Sequence, residues 1–292
     1  MAGPGGVEPP TLGLGGQIKP ISWKELRNGF LLWAKARFSP AYVRDLKYIL
    51  DKHQPVIGRL EDLEGLFAGD FPGKRHLWLA VRNLLKYCVL HGWPKNIIEA
   101  LIQNMPSIPK TGADNRVPRE EQIISLLSAL KGEKVKYRAF YNLILDSAVR
   151  PAHAVEILAG FNPSNLEEID PGIFKYHVSI ERREKHTFIA FITETTLSLI
   201  RKVEEPLTLN AYKVFQKRRK MLRPKLVQKF AYNMMRKSGV DRDIAEFISG
   251  RKPEGIGAKH YAELIMLAEE QYPRYAAYLK ALRERCGDLR NS

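Results

Sequence analysis

The sequence predicts a mainly α protein built as two helical domains, the second carrying a small β-hairpin. Three observations lead there. Apolar residues recur at spacings of three and four through most of the chain. Between Ile173 and Thr193 that spacing drops to two, the period of a strand. Residues 106–118 show no period and hold Pro, Gly and Asn, so they read as a linker between domains. With 292 residues the chain is long enough for two domains and a sizeable core.

The first sixteen residues, MAGPGGVEPPTLGLGG, contain six glycines and three prolines with almost no charge. Residues 1–21 are therefore expected to be a tail with no fold of its own. Structure is expected from Ser22. Ser22 and Glu25 have the spacing of a capping box and open a helix whose apolar stripe is Leu26, Phe30, Leu31, Trp33 and Ala34. Ser39-Pro40 restarts a helix through Tyr42, Leu46, Ile49 and Leu50, since proline is tolerated in a first turn. Acidic residues from Glu61 to Asp70 mark a shorter element. Lys74 to Leu90 reads as a long helix bearing Leu77, Leu79, Val81, Leu84, Leu85 and Val89, with Cys88 packed among them as a small apolar side chain. Gly92 ends it, and Pro94 starts another through Ile97, Ile98 and Leu101. This first helical domain covers 22–105.

The second domain is expected over 119–292, beginning with helices at about 119–131 and 134–148 and a turn or short helix from Pro151. Phe174, Tyr176, Val178 and Ile180 then alternate with other residues, Arg182-Arg183-Glu184-Lys185-His186 interrupts, and Thr187, Phe188, Ile189, Phe191 and Ile192 resume. That pattern is a hairpin with a strongly basic turn. Helices resume near Glu194, Thr208, Pro224, Asp241 and Gly257, with Gly239 ending one and Asp241 capping the next. Pro273 is expected to begin the last helix, whose Tyr275, Tyr278, Leu279 and Leu282 pack either on a neighbouring protomer or on their own domain.

Composition narrows the function. An apolar fraction of 45% and a charged fraction of 27% are ordinary globular values and exclude wholesale disorder. Only Cys88 and Cys286 are present, which excludes a disulfide framework and a Cys-based zinc site. No apolar run reaches the roughly 20 residues of a membrane span, and the N-terminus lacks the regions of a signal peptide. A soluble, cytoplasmic protein with no membrane partner is expected. The net charge is +15, and both parts share it: 15 basic and 9 acidic side chains in 1–110, 32 and 23 in 111–292. A surplus so spread points to a polyanion touched along the whole chain, nucleic acid before membrane. The basic residues are densest at Lys213, Lys217, Arg218, Arg219, Lys220, Arg223, Lys225 and Lys229, a stretch that contains no acid. It reads either as a solvated helix face or as a surface that contacts phosphates.

P-loop, dinucleotide-binding glycine, HExxH and GxSxG patterns do not occur, and the seven histidines fall at no metal-ligand spacing. The second half does carry an ordered set: Arg150 in LDSAVRPAH, Lys185 in ERREKH, Lys225 and Gln228 in RPKLVQKFAYNMM, and Arg251 and Tyr261 in ISGRKPEGIGAKHY. In this order and spacing the set resembles the tyrosine recombinases, most closely the integrases of archaeal viruses and plasmids, over about 22–285. The resemblance implies a helical core-binding domain followed by a catalytic domain of helices and a small β-hairpin or sheet.

It also implies an activity. Tyr261 would attack a DNA phosphodiester and form a 3′-phosphotyrosyl link, so that strands are cut and rejoined without ATP or metal. Arg150 and Arg251 would neutralise the phosphate, Lys225 would assist, and Lys185 would protonate the leaving 5′ oxygen. Arg182, Arg183, Lys217, Arg218, Arg219, Lys220, Arg223 and Lys229 are the candidate DNA-contacting residues. The implied partners are double-stranded DNA, clamped between the two domains, and further copies of the chain, two on one site and four in synapsis. The N-terminal tail resembles a translated attachment site of the kind that matches a transfer-RNA gene.

Two positions depart from the family pattern. His153 stands where an acidic residue is usual, with Glu156 one turn on, and Gln228 stands where a second arginine is usual. Glutamine is neutral and lacks the charged planar fork of arginine. Losing one donor to a transition-state oxyanion costs about 3 kcal/mol, roughly 10²-fold in rate. Arg223 and Lys229 are the neighbours that would compensate. His153 and His260 are placed outside the catalytic set. The rival readings are a relaxing activity like a type IB topoisomerase and a DNA-binding module with little or no cleavage.

Overall fold

The computed structural model describes residues 19–107, 116–182, 185–251 and 261–288, with the side chains of 179–182, 185, 186, 261 and 288 outside that description. The chain divides into two compact units, 1–113 and 114–292. Among the described residues no helix is long and apolar enough to cross a membrane.

The first unit runs β1 (Ile21–Ser22), α1 (Trp23–Lys35), α2 (Pro40–His53), β2 (Val56–Ile57), α3 (Leu60–Leu66), α4 (Lys74–Leu90) and α5 (Lys95–Gln103). Helix α4 is its axis. Leu77, Ala80, Val81, Leu84, Leu85 and Cys88 are buried along one stripe, the three-four spacing of a helix that packs one face. Burial pushes the Cys88 thiol up to about 12, so it behaves as the small apolar side chain the sequence implies. Gly92, at φ +93°, ends the helix in a conformation that costs glycine little, and Trp93 N–H reaches back to the Cys88 carbonyl at 3.1 Å.

Two local expectations fail here. Ser22 stands at the N-cap of α1 but its side chain makes no capping bond, and Glu25 lies against Lys19 instead. Ser22 belongs to β1, which pairs antiparallel with β2 in the register Ile21↔Ile57 and Ser22↔Val56. That pairing sets the start of α1, with Trp23 N–H bonded to the Pro55 carbonyl at 2.9 Å. Trp23 is fully buried, and Asp51 accepts from its indole N–H at 2.9 Å and from the Arg27 guanidinium at 2.9 and 3.2 Å.

The second unit runs α6 (Glu120–Leu130), α7 (Val135–Ser147), α8 (Pro151–Ala159), a 3₁₀ turn (Pro163–Asn165), β3 (Leu166–Asp170), β4 (Ile173–Arg182), β5 (Lys185–Thr193), α9 (Glu194–Ile200), α10 (Leu209–Arg218), α11 (Pro224–Lys237), α12 (Arg242–Ile248) and α13 (Tyr261–Asp288). Helix α7 is buried on every side from Ala139 to Ser147 and packs against α8, α9, α11 and β5. The polar residues of this stretch, Tyr141, Asn142, Asp146 and Ser147, are all bonded. Ser147 Oγ donates to the Phe191 carbonyl, and fully buried Asp146 accepts from the backbone and hydroxyl of Thr193 at 2.8 Å each. Arg283 of α13 completes this cluster, at 2.5 Å from Asp146 and 3.1 Å from Asn142.

The hairpin β4–β5 is present and extends to Arg182↔Lys185. A third strand, β3, pairs antiparallel with β4 and makes the order β3-β4-β5. The last helix does not begin at Pro273. Residues 261–288 form one helix with Pro273 inside it, and Tyr275, Leu279, Leu282 and Cys286 are buried in their own unit. The self-packing alternative therefore holds for this face. Gly239 ends α11 at φ +88°, while Asp241, at the N-cap of α12, uses its carboxylate to accept from Gln271 at 2.8 Å instead of from the helix.

Candidate active site

Arg150 is aimed by the residues on either side of it. Ala148 takes a left-handed conformation at φ +49°, closing α7 with an N–H bond to the Ile144 carbonyl at 2.9 Å. A side chain with a Cβ pays roughly 1–2 kcal/mol for that conformation. Pro151 then excludes Arg150 from helical geometry, and Arg150 stands extended, at φ −64° and ψ 145°, as the N-cap of α8. Its guanidinium is half-buried and donates to the Gly250 carbonyl at 2.5 Å.

Arg251 arrives from the other side by a different device. Gly250, at φ +70°, follows the C-cap of α12; its N–H bonds to the Phe247 carbonyl and the Arg251 N–H to the Glu246 carbonyl, both at 2.9 Å. This pair of bonds is a Schellman motif, which needs the left-handed residue at Gly250. The Arg251 guanidinium lies 4.6 Å from the ring centre of Tyr232, whose hydroxyl donates to Glu246 at 3.3 Å.

Arg150 feels the charge of Arg251. Burial, and after it the neighbouring charge of Arg251, hold the Arg150 guanidinium below the usual arginine range. Lys225, Gln228 and Tyr232 follow at helical spacing on α11, so one face of that helix carries both candidate phosphate ligands and the aromatic platform of Arg251. Lys225 is exposed and Gln228 half-buried, in the fifth position of the helix. The side chains of Lys185 and Tyr261 lie outside the described residues; the backbone of Lys185 opens β5 and that of Tyr261 opens α13. His260 and Arg183 lie outside them altogether, as does the side chain of Arg182.

His153 is buried, with Nδ1 2.5 Å from the Thr187 hydroxyl of β5. Two other tyrosines near the C-terminus are removed from contention as nucleophiles. Tyr272 and Tyr275 are 0% exposed, donate to the carbonyls of Asp146 and Leu145 at 3.0 and 2.7 Å, and have their hydroxyl acidity suppressed by burial.

The basic stretch is exposed at Lys217, Arg218, Arg219, Lys220, Arg223 and Lys225. It is not without acid in space, because Arg219 pairs with Glu133 at 3.0 Å. Lys229 reaches the Arg116 carbonyl at 3.4 Å, a direction set by its own position one residue beyond Gln228. Spacing in the sequence did not single out Tyr232, Gly250 or Thr187. Only for Tyr232 was a local signal present, its place one turn after Gln228.

Among solved structures the chain is similar to the Tn1549 transposon integrase in complex with transposon right end DNA, at 12% identity and a TM-score of 0.50, over 82% of this chain and 98% of that one. It also resembles the integrase from mycobacterium phage Brujita (11% identity, TM-score 0.39, 86% and 92% covered) and the XerA recombinase (13%, 0.35, 84% and 93%). The first of these likenesses shows a shared fold. No match is found among curated proteins. The model of the archaeal phage integrase family matches residues 115–278, more than half of the sequence, and the chain belongs to that family.

Proposed function

We propose that the protein is a site-specific DNA recombinase that integrates or excises a mobile element through a 3′-phosphotyrosyl intermediate. One observation carries the reading. Arg150, from a distant part of the chain, donates to the carbonyl of Gly250, the residue before Arg251, and after burial the charge of Arg251 makes the Arg150 charge costlier. Two guanidiniums brought together in this way are arranged for an anion, and a phosphodiester fits their planar forks.

In this mechanism the Tyr261 oxygen attacks phosphorus and its proton passes to solvent. The P–O5′ bond breaks, and Lys185 transfers a proton to the departing 5′ oxygen. Arg150 and Arg251 balance the charge that gathers on the non-bridging oxygens, Lys225 adds to it, and Gln228 donates a neutral hydrogen bond. The phosphotyrosyl bond keeps the energy of the broken phosphodiester, so attack by a 5′ hydroxyl rejoins the strand. Duplex DNA is held by the basic side chains of both units, with Arg182, Arg183, Lys217, Arg218, Arg219, Lys220, Arg223 and Lys229 as contacts in the second. Two protomers on one site and four in synapsis, and a transfer-RNA gene as target, complete the proposal.

A nicked duplex whose short product strand diffuses away traps the covalent adduct. Adduct formation by the wild-type protein supports the reading, and strand exchange between two duplexes separates it from simple relaxation. The neutral Gln228 favours a second reading, a DNA-binding homologue without cleavage, and a protein that binds this duplex but forms no adduct would establish it.

A further inference from the structure

We propose that His153 is a positioning residue for Lys185, acting through Thr187; the proposal rests on the recombinase reading above. His153 lies on α8, three residues after Arg150, and is 2% exposed. Thr187 lies on β5 and is 1% exposed. Nδ1 of the imidazole and the threonine hydroxyl meet at 2.5 Å across 34 residues of sequence. Burying two polar groups where α8 meets the sheet gives little net stability, because the bond between them replaces bonds to water. What such a pair supplies is a fixed geometry. An apolar contact tolerates sliding, whereas a single hydrogen bond between two buried groups admits one register.

The register matters because of what stands at each end. Arg150 caps the same helix that carries His153, and the backbone of Lys185 opens the same strand that carries Thr187, two residues earlier. The strand pairing is irregular between His177 and Ile180, and regular pairing resumes at Ile180↔Thr187 and continues to Arg182↔Lys185. Among the described residues, Thr187 is therefore a position at which the outer hairpin is fastened to the helix that presents Arg150. The fastening sets the distance between the group that holds the phosphate and the group that protonates the leaving oxygen.

A general acid is dispensable when the leaving atom is sulfur, since a thiolate departs without a proton. Single-turnover cleavage is therefore measured on an ordinary nicked duplex and on one with a 5′-bridging sulfur at the scissile phosphate. Thr187→Val, which keeps the branched shape, is expected to slow cleavage of the oxygen substrate by about 10- to 100-fold, the scale of a misplaced reacting group. It should leave the sulfur substrate within about twofold of wild type, the residue expected when the proton no longer matters. Thr187→Ser, which restores the hydroxyl, should recover the oxygen rate.

His153→Leu and His153→Asn repeat the test from the other side, the asparagine amide standing near the place of Nδ1. They serve if Thr187→Val fails to fold. Equal slowing on both substrates, or no slowing on either, overturns the positioning role while leaving the recombinase reading intact. A wild-type protein that forms no adduct with either substrate overturns both.

Discussion

Arg283 and Asp146 meet at 2.5 Å across 137 residues of sequence, in a pocket of the fold where Asp146 is fully buried. The bond ties the last helix to the central one at Asp146, the next-to-last residue of α7 and four residues before Arg150. The same guanidinium also donates to Thr193 at 2.9 Å and Thr196 at 3.2 Å, so four elements share one cation.

Removing that cation leaves a buried carboxylate with its strongest partner gone. Arg283→Ala is expected to destabilise the second unit by about 3–5 kcal/mol. Thermal unfolding followed by circular dichroism measures it, and a loss under about 1 kcal/mol would show that Thr193 alone satisfies Asp146.

Asp51 holds the first unit together in a pH-dependent way. Hydrogen bonding from Arg27, together with Trp23 and Lys47, keeps its carboxyl far below the usual carboxylate range. A depressed folded-state value means the stabilisation is complete above the unfolded value of about 3.9 and is lost as pH falls through the folded one. Acidification below about pH 4 should therefore weaken the wild-type unit more than Asp51→Asn. All four tryptophans lie in this unit, so tryptophan fluorescence reads its unfolding alone. Parallel acid profiles for the two proteins would contradict the assignment.

Tyr261→Phe is expected to abolish the covalent adduct and leave DNA affinity nearly unchanged, because only the attacking hydroxyl is lost. Tyr272→Phe and Tyr275→Phe should keep the adduct and each cost about 1 kcal/mol of stability, the worth of one buried hydroxyl-to-carbonyl bond. Adduct from Tyr261→Phe would move the nucleophile to another tyrosine.

Gln228→Arg is expected to raise the cleavage rate by roughly 10- to 1,000-fold, the range for one charged donor at a developing oxyanion. Ground-state affinity should change much less, since it sums many phosphate contacts. Single-turnover rates on the nicked duplex decide it. An unchanged rate would mean that Arg223 already serves the phosphate, and Arg223→Ala would then slow the wild-type protein.

DNA affinity should fall by orders of magnitude between about 50 and 200 mM salt, as counterions displaced by several cations return. A flat profile would count against an extended phosphate-contacting surface.

Much of the helical architecture was legible because its signals are local. Helix α4 runs from Lys74 to Leu90, the span its apolar stripe marks, and Pro151 and Pro224 each sit in the first turn of a helix. Strand β3 was hidden for a physical reason: Leu166-Glu-Glu-Ile-Asp lies at a solvated sheet edge and spaces its apolar residues by three. Strands β1 and β2 are two residues each, too short to show any period. Pro273 misled because a helix start favours proline, yet here Tyr272, Tyr275 and Leu279 bury enough surface to carry the helix through it. At the site, Arg150 and Arg251 were legible from their motifs. Tyr232 and Thr187 were not, since a ring under a guanidinium and a hydroxyl facing an imidazole exist only once distant segments meet.

The first and last helices of the second unit are stitched together: Lys131 Nζ donates to the Cys286 carbonyl at 2.7 Å, Tyr278 donates to Glu120 at 2.6 Å, and Arg285 pairs with Glu120 at 2.5 Å. A ribosome makes α6 more than a hundred residues before α13. At about 5–20 residues per second, α6 waits several seconds or more with its apolar side uncovered. The first unit meets no such delay, since its core is complete once Met105 has emerged. Nascent chains stalled before residue 261 should therefore carry a protease-resistant first unit and a second unit that is still digestible.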